Sequence, residues 1–214
     1  MSDHANNEWI SIGDFMAGIV GVLVLFFVIA ILITATAKAE AEEKKRQGVQ
    51  MIMTSLGDGL QAAGAQGLEL LPDQGVMRLK DTSFAKGSAC LDDRLVALFQ
   101  QEIAPIIVAN MQKNPNLSLQ IEGHTDAIPV NRGSANVNAT CALFDDNYTL
   151  SAGRAREARK ALLSQINDPE LIKRVSVVGY GPDRLLNLTD PSSGDNRRVE
   201  VRFVFASASE SESD

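Results

Sequence analysis

Three groups of residues in this chain have types and spacings that could carry chemistry. The first is Asp14, a single acid at the start of an apolar run over residues 12–36 in which positions 15–33 hold no charge and no proline. A carboxylate at mid-membrane depth costs about 2.5–3.5 kcal/mol on insertion scales, and less nearer the helix end. It can sit at the headgroup boundary as a partner of the helix N-terminal dipole. Alternatively it faces another helix, since Asp14, Gly18, Gly21 and Leu25 recur at helical spacing and form a stripe of small residues that admits a close neighbour. In that low-dielectric setting an acid can take up and release a proton, which is the chemistry of a relay.

The second group is His124, Thr125 and Asp126, at the end of a strand, together with Arg154 in the first turn of a helix that begins at Leu150 and Ser151. An anion there would meet free backbone N–H groups, the helix dipole and a guanidinium fork, while Asp126 accepts from an ammonium. A zwitterionic amino-acid end satisfies both. The alternative is an Asp126–Arg154 salt bridge that only ties strand to helix. Arg198 is expected to bond loop carbonyls and lies within reach of a ligand. The third group is Cys90 and Cys141, the only two cysteines. Joined in an oxidising compartment, they would close a loop worth about 4 kcal/mol on the chain-entropy account; unjoined, they are two separate thiols.

Other chemistry is poorly served. The chain has 214 residues, two histidines and a net charge of −7, with no concentrated basic patch, so nucleic acid is not an expected partner. Metal-ligand spacing, a phosphate-cradling glycine loop and a nucleophile beside a base are all missing, and Ser151 reads as a helix cap. The expectation is a non-enzymatic protein with no metal or cofactor.

The elements that must position these residues follow from periodicity. Residues 12–36 are long enough, at about 1.5 Å per residue, to cross the roughly 30 Å hydrocarbon core. A cleaved signal peptide competes, but no Lys or Arg precedes Trp9 and the apolar run is longer than a usual signal core. Residues 1–11 are then a cytoplasmic N-terminus. Residues 37–67 form a helix and linker in which Val49, Ile52, Leu56 and Leu60 make an apolar stripe, buried either in a parallel dimer or against the chain's own domain. Gly57, Gly59, Gly64 and Gly67 are expected to break it.

Residues 68–206 read as an α+β domain, a small mixed sheet with helices on one face. Strands are expected at 68–71 and 76–79 as a hairpin, then at 117–121, 175–178 and 199–205, with helices over 95–113 and from Ser151 to about Ile166. The Ser- and acid-rich tail at 207–214 should be disordered. Lys38, Lys44, Lys45 and Arg46 follow the span, which by the positive-inside rule alone places the domain in the cytoplasm. Interleaved Glu40, Glu42 and Glu43, and envelope-type motifs in the domain, argue for the outside instead.

The segment Gly13-Asp14-Phe15-Met16-Ala17 resembles the membrane motif of MotB, the B subunit of flagellar stators, and more closely that of the ZorB family of Zorya anti-phage systems. The domain resembles the OmpA-like peptidoglycan-binding family in four places. These are Phe84-Ala85-Lys86-Gly87-Ser88-Ala89-Cys90-Leu91, Ile121-Glu122-Gly123-His124-Thr125-Asp126, Asn147 to Ala155, and Gly179-Tyr180-Gly181-Pro182 with Asn196-Arg197-Arg198-Val199-Glu200. The resemblance implies that Asp14 carries the driving ion, a proton or else sodium. It also implies that Asp126 and Arg154 hold the diaminopimelate of the peptidoglycan stem peptide, and that Asn147 and Leu150 line that pocket. The implied assembly is a homodimer inside a ring of MotA- or ZorA-like subunits in the bacterial inner membrane, with the domain in the periplasm. The short stretch between span and domain points to the ZorB-like rather than the flagellar form, and a passive wall tether is the remaining alternative.

Overall fold

Helix α1 (Asp3–Ala62) takes in both the apolar run and the amphipathic segment after it. No proline occurs before Pro72 to stop it. The hydroxyls of Thr34 and Thr36 donate back to carbonyls of Ala30, Ile31, Leu32 and Ile33 at 2.9–3.0 Å, so neither is left unsatisfied in apolar surroundings. The computed structural model describes residues 3–65, 67–84, 88–130 and 144–206, with side chains from Gly13 onward. It divides into two units, Met1–Gln47 and Gly48–Asp214. In the first, α1 is long and apolar enough to cross a membrane, with a mean hydropathy of 3.1 over its most apolar stretch. The tail at 207–214 lies outside the described residues.

The second unit begins at Gly48, inside the segment expected to be a linker. The stripe expected to join either a dimer or the domain is buried in the domain: Ile52, Met53 and Leu56 are at most 2% exposed within its core, and Val49 and Leu60 pack against them. Gly57 and Gly59 do not break the helix as expected. Their missing side chains let it settle on the domain, with Leu70 and Ile106 against them. The chain turns later, at Gly64 and Gly67, whose φ of 61° and 83° favours glycine.

Among the described residues five strands make one sheet in the order β1-β2-β5-β3-β4: β1 (Leu68–Leu71), β2 (Val76–Lys80), β3 (Leu117–His124), β4 (Val175–Gly179) and β5 (Arg198–Phe205). The first two form the expected hairpin, β5 is antiparallel to β2 and β3, and β3 runs parallel to β4. Alternation decides the faces. Leu117, Leu119 and Ile121 of β3 and Val199, Val201 and Phe203 of β5 point into the core, beneath the helices. Glu122, His124, Arg198, Glu200 and Arg202 point the other way.

Among the described residues, helices α2 (Asp93–Leu98), α3 (Ala104–Lys113), α4 (Asn147–Leu163) and α5 (Pro169–Lys173) join the sheet in an α+β domain and all contribute to one core. Between α2 and α3 the chain widens into a π turn at Phe99–Ile103, next to Pro105, which has no N–H to offer the turn before it. The helix expected from Ser151 starts earlier. Asp146 caps α4, its carboxylate accepting from Thr149 N at 2.7 Å while Thr149 Oγ1 accepts from Asp146 N at 3.1 Å.

Candidate ligand site

The position of α4 is set by two glycines. A Cβ at Gly123 on β3 would overlap the Ser151 carbonyl, and one at Gly179 on β4 would meet the Ala152 backbone. Only hydrogen at both positions lets the second turn of α4 rest directly on the parallel strand pair. Ser151 sits inside the helix rather than capping it. Its Oγ donates to Tyr148 O at 2.8 Å and accepts from Gly181 N at 3.0 Å, tying α4 to the loop after β4. Because the helix starts at Asn147, Arg154 lies at the end of its second turn, and the first-turn anion position is filled by Asp146. The expected use of free N–H groups there does not hold.

Asp126 leaves the end of β3 and is 6% exposed. Its loop is held by Thr125 N donating to Gly181 O and Ala127 N to Pro191 O, both at 2.9 Å. Asn147 spends its amide on the same loop, donating to the carbonyls of Asp126 at 3.2 Å and Ile128 at 3.0 Å. Leu150 is buried beside it in sequence, on α4. Arg154 is 2% exposed, donates from Nε to Ser88 O at 3.1 Å, and lies over the Phe84 ring at 5.1 Å. Burial pushes its guanidinium below the ordinary value, and the nearby Asp81 carboxylate opposes that shift.

Among the described residues no ion pair joins Asp126 to Arg154. Each is paired with a residue that the sequence did not single out. Arg197 Nη1 donates to Asp126 Oδ2 at 2.6 Å, Arg197 Nε lies 2.9 Å from Asp81 Oδ2, and Asp81 Oδ1 lies 3.3 Å from Arg154 Nη1. The charges therefore run Asp126, Arg197, Asp81, Arg154, alternating in sign. The hydrogen bond to Asp126, together with the Asp81 pair, holds the Arg197 guanidinium above its ordinary value despite partial burial. Of the three links, the one between Asp81 and Arg154 is the longest.

The signal for Arg197 was present in its neighbour. On an extended chain, residues 197 and 198 point to opposite sides, so a structural role for one leaves the other facing the site. Asp81 had no comparable signal, because it reaches Arg154 only through the docking of β2 against the helices.

His124 and Arg198 belong to a different cluster. His124 turns to the outer sheet face, stacked on Tyr180 with ring centroids 5.4 Å apart and its Nε2 3.8 Å from Glu122 Oε2. Neither its ring nitrogens nor the Thr125 hydroxyl has a hydrogen-bond partner among the described residues. Arg198 donates to Glu200 at 2.8 Å, Asn196 O at 3.1 Å and Arg184 O at 3.2 Å. Glu122, His124 and Glu200 place one ligand atom each within 4.8 Å of one another. Both carboxylates are already gripped by guanidinium groups, Glu122 by Arg202 and Glu200 by Arg78 and Arg198, a field that repels a cation. The cluster reads as a closed ion-pair network.

Beside the four-charge chain opens a cleft of about 840 Å³ whose wall includes Arg78, Lys80, Asp81, Leu188, Arg197 and Arg198. The loop forming one side is organised by the buried Asn196. Its side chain accepts from Leu186 N and Asn187 N at 2.8 Å and donates to the carbonyls of Asn187, Asp190 and Pro191. Cys90 is disulfide-bonded. Cys141, the other half of the expected pair, lies outside the described residues.

An α+β domain with a buried pair of opposite charges at the carboxyl end of its central strands is thus the class that fold and site define. No family model matches the chain, and no curated protein matches it. Among solved structures, a MotB-like protein from Desulfovibrio vulgaris superposes with a TM-score of 0.54 at 22% identity, over 77% of this chain and 96% of that one. The periplasmic domain of Helicobacter pylori MotB gives 0.49 at 24% identity, over 68% and 85%. The cell wall anchor of the T6SS from Pseudomonas aeruginosa gives 0.47 at 23%, over 73% and 97%. The first likeness establishes the fold as the MotB-like one.

Proposed function

We propose that this chain is the B-type subunit of an ion-driven rotary stator, fixed in the bacterial inner membrane by residues 12–36 and to peptidoglycan by the domain that begins at Gly48. The observation that carries the wall-binding half is the placement of Asp126 and Arg154. Both are buried, opposite in charge, mounted on separate elements and not paired with each other. A carboxylate and an ammonium on one carbon, as in diaminopimelate at the end of a stem peptide, match the two charges at once. The fold likeness to a MotB-like protein supports the same reading.

The motor half rests on Asp14 in a helix able to cross a membrane. An ion carrier needs partners, so the working unit is a homodimer within a ring of MotA- or ZorA-like subunits, moving protons in preference to sodium, with the N-terminus cytoplasmic and the domain periplasmic. A defence role of the ZorB kind is favoured over the flagellar one by the short interval between residue 36, where the apolar run ends, and Gly48, where the domain starts.

The test of the wall-binding half is retention of the detergent-solubilised full chain on purified diaminopimelate-type sacculi. A charged hydrogen bond in such a site is worth about 1.5–3 kcal/mol, so Arg154→Ala should weaken binding roughly tenfold or more. Undiminished binding by a folded Arg154→Ala protein would return that arginine to a structural role.

A further inference from the structure

The four-charge chain has a feature that a simple ligand pocket lacks: it is already filled, in the right charge order, by the protein. Arg197 presents a cation to Asp126 and Asp81 presents an anion to Arg154, and these two inner groups are joined to each other at 2.9 Å. That is the arrangement of an ammonium beside a carboxylate. We propose that the Asp81–Arg197 ion pair is an internal stand-in for the zwitterionic ligand, a latch that must leave before the ligand enters, making Asp81 and Arg197 determinants of affinity and specificity. This rests on the reading of Asp126 and Arg154 as the ligand-holding pair.

Exposure separates the fixed charges from the movable ones. The side chains of Asp126 and Arg154 are 8% and 3% exposed, whereas those of Asp81 and Arg197 are 32% and 33% exposed. Asp81 and Arg197 also stand in the wall of the 840 Å³ cleft, which gives the pair somewhere to swing. Asp81 sits in the short turn Asp81–Ser83 after β2, and Arg197 lies just ahead of β5, so neither is anchored within a regular strand.

The two arms differ in strength. The contact of Arg197 with Asp126 is a 2.6 Å hydrogen bond, while Asp81 meets Arg154 at the longer distance of 3.3 Å. A ligand therefore displaces the Asp81 arm first, carboxylate leading, and the ammonium follows. The latch has a reason to exist in the empty domain: without it, two buried charges would stand uncompensated, which costs far more than the pairing does. It also filters ligands. A lone carboxylate or a lone amine can replace only one arm and leaves the other half of the latch unpaired, whereas a group carrying both replaces the pair.

A closed state lowers apparent affinity by the fraction of molecules that are open, so a latch closed in about nine molecules of ten weakens binding about tenfold. The experiment compares the full-length protein in detergent with its Arg197→Met and Asp81→Asn variants. Two readouts are used: retention on diaminopimelate-type sacculi, and release by free meso-diaminopimelate. Folding is checked by circular dichroism. Both variants should bind at least about fivefold more tightly than the unmodified chain, and free diaminopimelate should elute while alanine, acetate and methylamine at equal concentration elute less. Should Arg197→Met fail to fold, Arg197→Gln carries the same expectation, since its amide can hydrogen-bond to Asp126 but offers no cation that the ligand's ammonium must displace. Binding by the unmodified chain with equal or weaker binding by both variants overturns the latch and makes Asp81 and Arg197 ligand contacts or struts. Tightening by only one variant overturns the pair as a unit. No binding by any folded form overturns the peptidoglycan reading itself, and binding by the variants alone establishes a latch closed in nearly every molecule.

Discussion

Arg202 on β5 grips Glu122 on β3 through both ends of its guanidinium, Nε to Oε1 at 2.9 Å and Nη2 to Oε2 at 3.2 Å. Burial raises the Glu122 carboxyl, but neighbouring His124 and the Arg202 fork overcome that and bring it down to about 2. A carboxyl depressed below its ordinary 4.5 adds stability that is complete above that value and is lost as pH falls toward 2. His124 is lowered from 6.5, chiefly by burial and further by Arg198, against the pull of Glu122 and Glu200. Its folded form prefers to be neutral, so its contribution is complete above pH 6.5 and erodes below it.

Acid should therefore unfold the domain in two stages, His124 acting first and Glu122 second. Thermal melts of a Gly48–Ala206 fragment across pH would resolve them, at about 2–4 °C per kcal/mol for a domain of this size. His124→Gln should flatten the limb just below pH 6.5 and, by removing one of the groups that hold Glu122 down, move the lower limb to higher pH. An unchanged upper limb in that variant would assign the first stage to another group.

Gly123→Ala tests the seating of α4. The added methyl falls on the Ser151 carbonyl, a backbone atom that cannot rotate away. Overpacking of this kind costs about 1–3 kcal/mol or more. Because the strain lifts α4 off β3, wall binding should fall together with the melting temperature. A Gly123→Ala domain that melts normally would mean that α4 sits less tightly than the glycine contacts require.

Much of this architecture was legible in sequence because it rests on local period. All five strands lie where alternation or a short apolar run put them, and the α2–α3 stripe is the one that Leu95, Phe99, Ile103 and Ile107 announce. What escaped is long-range or depends on a competing cap. Asp146 with Thr149 outcompeted Ser151 as the helix start. The stripe of Val49, Ile52, Leu56 and Leu60 suits a dimer as well as the domain, because an apolar stripe does not name its partner. Asp126 and Arg154 were readable from their motifs, but their partners were not. Arg197 is legible only through its neighbour Arg198, and Asp81 becomes a site residue only once β2 has paired with β5.

The burial of the end of α1 makes a prediction about domain limits. Leu56 is fully buried, with Ile52 and Met53 nearly so. A fragment starting at Gly48 should melt cooperatively, whereas one starting at Leu68 would expose the core face these residues cover and should melt lower and bind apolar dyes. Leu56→Ala in the longer fragment should cost about 2–5 kcal/mol. Equal stability of the two fragments would show the helix end to be an attachment rather than a part of the core.

Asp14 separates a motor subunit from a passive tether. Gly18 and Gly21 recur on its face of the helix, small residues that admit a close neighbour. Asp14→Asn keeps the size and polarity of the side chain but cannot release a proton at any physiological pH. The prediction is that the Asn variant reaches normal abundance, co-purifies with its ring-forming partner and binds sacculi as well as the unmodified chain, yet loses all phage protection, or motility if the flagellar assignment is the right one. Asp14→Glu, which restores an ionisable group on a longer stem, should recover part of the activity. Three measurements decide the matter: partner co-purification, sacculus binding and plaque counts in cells expressing each variant from the native locus. Full protection by Asp14→Asn would reduce the chain to a wall tether, and loss of protection accompanied by loss of assembly would make Asp14 a packing residue.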